Sequence, residues 1–194
     1  MRMEKLALMI LRQIQRDNPE IPESRLKIMK FGLECLIGDF SKLLAYFIIF
    51  WLLSVPEYYL VSVLCYCGVR AAGGGYHEET YFRCFITSFV IFSVIIFCSY
   101  RFPLDTVPRA FILILSLIVA YLFAPVDHPN KPIISEERRR RLKYLTCILM
   151  VSTGAGSFLF NKTIATTMVN SIAMVSVMLP IGVWANKTRQ RRKL

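Results

Sequence analysis

The chain has 194 residues, of which 55% are hydrophobic and 13% aromatic, a balance well above that of an ordinary soluble domain. Its formal net charge of +11 comes from basic residues grouped in short segments between apolar runs, rather than from one basic stripe with aromatics interleaved. The composition therefore argues against a soluble enzyme and against a nucleic-acid-binding protein, and it favours a polytopic membrane protein.

The first 32 residues are predicted to form an amphipathic segment. Within the stretch KLALMILRQIQR, four positions recur at helical spacing while basic residues occupy the other positions. We expect this helix to lie in the membrane interface, with a solvated helix packed against its own loops as the alternative. The recurring positions are Leu6, Met9, Ile10 and Gln13.

Six apolar runs follow, each near the roughly 20 residues that a helix needs to cross a bilayer core. Pro56 and Glu57 alone separate the first two, which are either one long kinked span or a tight helical hairpin. We predict an all-α polytopic membrane protein with about six transmembrane helices. Residues 1–194 are expected to form one membrane domain, with its membrane region over 33–185 and a basic cytoplasmic tail over 186–194. The runs are 36–55, 57–73, 83–100, 109–125, 143–160 and 164–185.

The distribution of basic residues favours six spans. With a cytoplasmic N-terminus, six spans place 21 of the 24 lysines and arginines on the cytoplasmic side and leave Arg101, Arg109 and Lys162 outside. Merging the first two runs gives 11 inside and 13 outside. Because cytoplasmic flanks collect Lys and Arg, we predict six spans in the cell membrane with both termini in the cytoplasm.

The segment GGGYHEETYFRC contains the residues that point to chemistry. On the predicted topology, residues 70–84 lie on the cytoplasmic side, where thiols stay reduced, so Cys84 is a candidate nucleophile and His77 the nearby base. Seven helical residues advance about 10.5 Å, too far for a direct hydrogen bond, so a dyad requires a break in the helix. Three consecutive glycines favour a turn there, and Thr80 is a plausible N-cap that leaves Cys84 near the start of the next helix.

Other interpretations of this segment stay open on spacing alone. A single His and Cys seven residues apart also occur without catalysis, in a small transporter or a non-catalytic membrane scaffold. Nearly charge-free spans argue against the transporter. Cys65 and Cys67, with His77 and Cys84, form a weak metal-binding alternative, because Cys-x-Cys inside a span lacks the usual zinc spacing. Neither a metal nor another cofactor is predicted, and His128 is taken as a loop residue.

The chain resembles a known family, the accessory gene regulator B endopeptidases of Gram-positive quorum sensing. The resemblance covers nearly the whole chain and rests on FGLECLIGDFSK, RAAGGGYHEETYFRC and APVDHPNKP. It implies a membrane-embedded cysteine endopeptidase with His77 and Cys84 as its catalytic pair. The implied substrate is a short propeptide of the accessory gene regulator D type. The enzyme would cut off the propeptide's C-terminal part and transfer the new acyl end to an internal Cys or Ser, giving a thiolactone or lactone.

The resemblance also assigns residues around the pair. Arg70 matches an arginine often found before the glycines, and it would either clamp a substrate carboxylate or anchor the topology. Gly73 and Gly74 are expected to help position substrate. Glu78 stands where family members commonly have alanine, and a carboxylate there would orient the imidazole of His77 or favour its protonated form. Predicted partners are the propeptide, membrane lipids and, in a homodimer, a second copy of the chain; nucleic acid is not among them.

Overall fold

A computed structural model describes residues 2–76, 80–127 and 135–191. Within these ranges the chain forms seven α-helices, a single 3₁₀ turn and no strand. The predicted all-α fold class is therefore confirmed. The helices are α1 (Arg2–Asp17), α2 (Glu23–Leu52), α3 (Pro56–Gly73), α4 (Tyr81–Arg101), α5 (Thr106–Phe123), α6 (Glu136–Gly156) and α7 (Lys162–Arg191), with the 3₁₀ turn at Ser157–Leu159.

One compact unit, residues 1–54, contains α1 and α2. The predicted N-terminal amphipathic helix is present as α1, but it packs through Ala7 and Leu11, whereas Met9 and Ile10 on the predicted apolar face are exposed. Helix α2 begins at Glu23, inside the segment predicted to precede the membrane region. Its 30 residues span about 45 Å, longer than a hydrocarbon core of about 30 Å, so the helix extends beyond its apolar part.

The first two apolar runs form separate helices. Helix α2 ends at Leu52, Ser54 has a positive φ of 58°, and α3 begins at Pro56, a residue well suited to the first position of a helix. The alternative of one long kinked helix is therefore wrong. Among the described helices, five have the length and apolar composition of a membrane span: α2, α4, α5, α6 with its 3₁₀ turn, and α7. Helix α3, with Glu57, Arg70 and three tyrosines, is not one of these five.

The second compact unit, residues 55–194, is built around α7. This helix contacts α3, α4, α5 and α6, and its face toward them carries small and branched side chains that are fully buried. The hydroxyls of Thr166, Thr167 and Ser171 donate to backbone carbonyls four residues earlier, so these buried polar groups are satisfied within the helix. The outer helices expose many large apolar side chains, which suits contact with lipid.

Candidate active site

The glycine segment after α3 forms the predicted turn. Gly74 has a φ of 71° and Gly75 a φ of 132°, backbone conformations that residues other than glycine rarely adopt. The N–H of Gly74 donates to the carbonyl of Arg70 over 2.8 Å, which ends the helix. The chain therefore leaves the axis of α3 at Gly74, as the glycines predicted.

Helix α4 begins at the residue after the predicted N-cap. Thr80 has extended backbone angles, and its hydroxyl accepts a hydrogen bond from the N–H of Arg83 over 3.4 Å. The N–H of Cys84 donates to the carbonyl of Thr80 over 3.0 Å. Cys84 thus lies in the first turn of α4, half-buried and as a thiol rather than a disulfide.

The break in the helix that a dyad requires is present, because α3 ends at Gly73 and α4 starts at Tyr81. Residues 77–79 lie outside the described residues. The pairing of His77 with Cys84 and the role of Glu78 therefore stay predictions, as does the loop assignment of His128.

Arg70 connects helix α3 with the chain that follows the glycine turn. Its Nη1 donates to the hydroxyl of Tyr66 over 2.7 Å, and its Nη2 donates to the carbonyl of Tyr76, the residue directly before His77. The guanidinium carbon also lies 5.5 Å from the ring centre of Tyr66. One half-buried cation on α3 therefore binds the loop next to the candidate base. The clamp for a substrate carboxylate and the topology anchor both stay open as further roles for this residue.

Tyr66 is a site residue that the sequence did not suggest. Its side chain is 5% exposed, and its ring packs edge-on against Phe92 of α4 at 5.6 Å between centroids. Its hydroxyl accepts the hydrogen bond from Nη1 of Arg70. The signal in the sequence was the spacing of four residues between Tyr66 and Arg70, which places both on one face of a helix.

The backbone of the glycine turn contacts two other parts of the fold. The N–H of Val126 donates to the carbonyl of Gly73 over 2.9 Å, and a Cβ on Gly74 would lie 2.3 Å from the carbonyl oxygen of Val126. On the α7 side, a Cβ on Gly182 would come within 2.9 Å of the backbone of Gly75 and Tyr76. The turn is therefore held between the chain after α5 and helix α7, at distances that leave no room for side chains.

Asp127 fixes the neighbouring segment. Its carboxylate accepts from Nη2 of Arg139 on α6 over 2.6 Å, and its backbone carbonyl accepts from Nδ2 of Asn186 on α7 over 2.7 Å. These two bonds join the chain after α5 to both following helices. Val126, which contacts the glycine turn, is thus held in place by its neighbour in sequence.

In the part of the chain that the structure describes, no three His, Cys, Asp or Glu side chains are grouped so that they could hold a metal ion. What this end of the bundle does offer is a thiol at a helix N-terminus and a partly buried Arg–Tyr pair beside the glycine turn. Together the fold and these residues define the class: an all-helical, multi-pass membrane protein with a candidate thiol-containing site at one end of its helices.

Comparison with known proteins gives the family. The family model for accessory gene regulator B matches residues 7–181. An AgrB-like protein of Clostridium beijerinckii is 27% identical over 135 residues, covering 69% of this chain and 66% of the relative, so the chain spans just under two thirds of that protein. An accessory gene regulator protein B of Staphylococcus aureus is 27% identical over 154 residues, 79% of this chain and 82% of the relative. No solved structure matches significantly. The chain belongs to the accessory gene regulator B family.

Proposed function

We propose that this protein is a membrane-embedded cysteine endopeptidase. It would remove the C-terminal part of a short propeptide of the accessory gene regulator D type and cyclise the remainder. Family membership supports a role in accessory gene regulator peptide processing for quorum sensing. The observation that carries the finer proposal is the position of Cys84 in the first turn of α4, after a break between α3 and α4 and seven residues after His77 in the sequence.

The proposed first step is acyl transfer to the enzyme. His77 takes the proton of the Cys84 thiol, and the sulfur attacks the scissile carbonyl of the propeptide. The tetrahedral intermediate collapses as the C–N bond breaks, and the imidazolium returns its proton to the departing amine. The N-terminal part of the propeptide is then bound to Cys84 as a thioester, and the C-terminal tail leaves.

The second step forms the ring. A thiol or hydroxyl within the bound peptide attacks the thioester carbonyl, loses its proton to His77, and displaces the sulfur of Cys84, which is then reprotonated. Water competes for the same thioester. An internal nucleophile already held close has a high effective concentration, and a half-buried thiol restricts water, so both conditions favour cyclisation over hydrolysis.

Substitutions at the two residues test this proposal. In vesicles containing the full chain and its propeptide, Cys84→Ala should abolish both the cut tail and the cyclic product, because no nucleophile remains, and His77→Ala should do nearly the same. Cys98→Ala is the matched control, since Cys98 is also a half-buried thiol of α4 but lies near the other end of the helix. Cleavage by Cys84→Ala at the wild-type rate would mean a water-using protease, and absence of cleavage by the wild-type chain would favour a transporter or a non-catalytic scaffold.

We propose that this site faces the cytoplasm, as the distribution of basic residues predicts. Glu137 and Asp105 are exposed residues near opposite ends of α5, so they report on the two sides. In intact cells, a cysteine at position 105 should react with an impermeant thiol reagent, and a cysteine at position 137 should react after the membrane is opened. The reverse pattern would place the site outside the cell.

A further inference from the structure

We infer that the buried guanidinium of Arg109 binds the phosphate of an anionic phospholipid, where the first turn of α5 meets the 3₁₀ turn that follows α6. This place is at the end of the bundle opposite the glycine turn, because Val126 follows the end of α5 and Arg109 lies near its start. About 21 Å of helix separate Arg109 from Phe123, the last residue of α5. The inference is therefore independent of the proposed peptidase activity.

The guanidinium of Arg109 is buried and only partly hydrogen-bonded. The residue is 8% exposed, and its Nη2 donates to the hydroxyl of Thr106 over 3.3 Å. Its Nε and Nη1 are shielded from solvent and have no hydrogen-bond partner among the described residues. Arginine stays ionised in proteins, so it does not relieve this cost by losing a proton. A buried cation with unsatisfied donors requires an anionic partner.

The carboxylate next to Arg109 in the chain is already engaged elsewhere. Asp105, one turn earlier, pairs with Lys162 at the start of α7 over 2.7 Å and is 80% exposed. Its oxygens are thus directed to the surface of the bundle and not to the buried nitrogens of Arg109. The anion that satisfies this guanidinium therefore comes from outside the described chain.

The depth and the surroundings of Arg109 favour a lipid headgroup as that anion. Helix α5 has 18 residues and spans about 27 Å, close to a hydrocarbon core of about 30 Å, so its first turn lies at the depth of the headgroups. Val107 and Phe111 on α5 and Leu159 on the 3₁₀ turn are exposed, and they offer contacts to acyl chains. Basic pockets between membrane helices bind anionic headgroups, and the planar guanidinium matches a phosphate well.

Access to the guanidinium depends on one surface side chain. The ring of Phe158 covers it, with 5.6 Å between the guanidinium carbon and the ring centre. This ring is itself 53% exposed, so it lies at the surface and not inside the bundle. Rotation of Phe158 brings Arg109 into contact with the bilayer. A phosphate then replaces a weak contact between cation and ring by charge-assisted hydrogen bonds.

Native mass spectrometry of the full chain in detergent tests this site. The protein would be titrated with phosphatidylglycerol and, separately, with diacylglycerol, which has the same chains but no phosphate. Losing a charge-assisted contact should weaken binding of the first phosphatidylglycerol to Arg109→Gln by at least about tenfold. Binding of diacylglycerol should be weak and equal in both proteins. Equal affinity of wild type and Arg109→Gln for phosphatidylglycerol would overturn the inference.

Arg101→Gln is the matched control. It removes the same charge at the same end of the bundle, but from an exposed position in the last turn of α4. Its affinity for the first phosphatidylglycerol should equal that of the wild type. An equal loss in Arg101→Gln and Arg109→Gln would mean that net charge attracts the lipid, and the assignment to Arg109 would be wrong.

Two competitors distinguish a headgroup from other anions. Inorganic phosphate and the C-terminal tail released from the propeptide should both leave phosphatidylglycerol bound to the wild-type chain. Displacement by inorganic phosphate would indicate a site for a free anion. Displacement by the tail would indicate a site for peptide. Either result would contradict a phospholipid site.

A measurement on the wild-type chain covers the case in which Arg109→Gln does not fold. Phosphatidylglycerol with a photoreactive group on its head would be mixed into nanodiscs that contain the full chain, and the labelled peptides identified by mass. The label should be found on the peptides that contain Arg109 and Phe158. Labelling elsewhere, with none on these two peptides, would rule the site out.

Discussion

The two ends of α4, about 30 Å apart, are held in different ways. At its start, the glycine turn is fixed by backbone contacts with Val126 and Gly182 and by the part-buried bonds of Arg70. At its end, the connection to α5 is fixed by side chains: Thr166 accepts from the N–H of Leu104 over 2.9 Å, and Lys162 pairs with Asp105 over 2.7 Å.

The two ends of α4 should respond differently to substitution, because the ion pair at its far end is exposed to solvent and the contacts at the glycine turn are not. The side chains of Asp105 and Lys162 are 80% and 49% exposed, and exposed ion pairs of this kind contribute little to stability. The contacts at the glycine turn are between backbone atoms, so a new side chain there must displace part of the fold. Substitutions at the candidate site should therefore change activity strongly, and substitutions at the other end should change it little.

The largest effect is expected for Gly74→Ala. Alanine at a φ of 71° is strained by about 1–2 kcal/mol, and its Cβ would lie 2.3 Å from the carbonyl oxygen of Val126. The turn must move, and a displacement of about 1 Å in a catalytic segment costs about 100-fold in rate. Propeptide cleavage in vesicles should fall by that order, and the thermal midpoint should drop.

Gly68→Ala is the control for that variant, because Gly68 lies on α3, the helix that Gly74 caps, and a Cβ there meets nothing within 4 Å. It should cleave at the wild-type rate. Equal cleavage by Gly74→Ala and Gly68→Ala would contradict the view that close backbone contact positions the loop.

A smaller effect, confined to activity, is expected for Gly182→Ala. The new Cβ would lie 2.9 Å from the backbone of Gly75 and Tyr76 and would push the loop away from α7. Alanine is favoured over glycine inside a helix by about 0.5–1 kcal/mol, which offsets part of the strain. Cleavage should fall about tenfold while thermal unfolding stays near that of the wild type. Gly156→Ala, whose Cβ would make only an ordinary 3.8 Å contact with Met168, should change neither.

The smallest effect is expected at the other end of α4 and depends on pH. The hydrogen bond and charge of Lys162 lower the pKa of Asp105 below its usual 3.8. A carboxylate with a lowered pKa in the folded state stabilises the fold above the unfolded pKa, and the stabilisation is lost as pH falls through the folded value. The thermal midpoint of Asp105→Asn should therefore lie slightly below that of the wild type at pH 6 and match it well below pH 3.8. An equal difference at both pH values would contradict this ion pair.

Local features of the sequence predicted the helices and the frame of the site. Apolar runs marked the five helices that could span a membrane, whereas the run 57–73 formed α3, which is not among those five. Pro56 marked the break between α2 and α3, and the glycines and Thr80 marked the turn and the start of α4. Each of these depends on neighbours a few residues away. The start of α2 at Glu23 was missed because charged residues argue against a membrane span but not against a helix that continues beyond it.

Contacts between distant residues could not be predicted in this way. Nothing near Gly182 indicates that Gly75 lies against it, and nothing near Tyr66 indicates that Phe92 packs against its ring, because both pairings depend on how helices pack. The contact face of α1 likewise depends on packing: Ala7 and Leu11 are buried, while Met9 and Ile10 of the face predicted to lie in the membrane interface stay exposed.

The central claim is that cleavage proceeds through a thioester on Cys84, and the most direct measurement is the mass of the enzyme during turnover. A propeptide whose cyclising residue is replaced by alanine cannot complete ring formation, so its N-terminal part should accumulate on the protein. The expected result is a mass increase equal to that fragment, located on the Cys84 peptide and released by hydroxylamine. Linear product without any such adduct, or an adduct that persists in Cys84→Ala, would contradict the account.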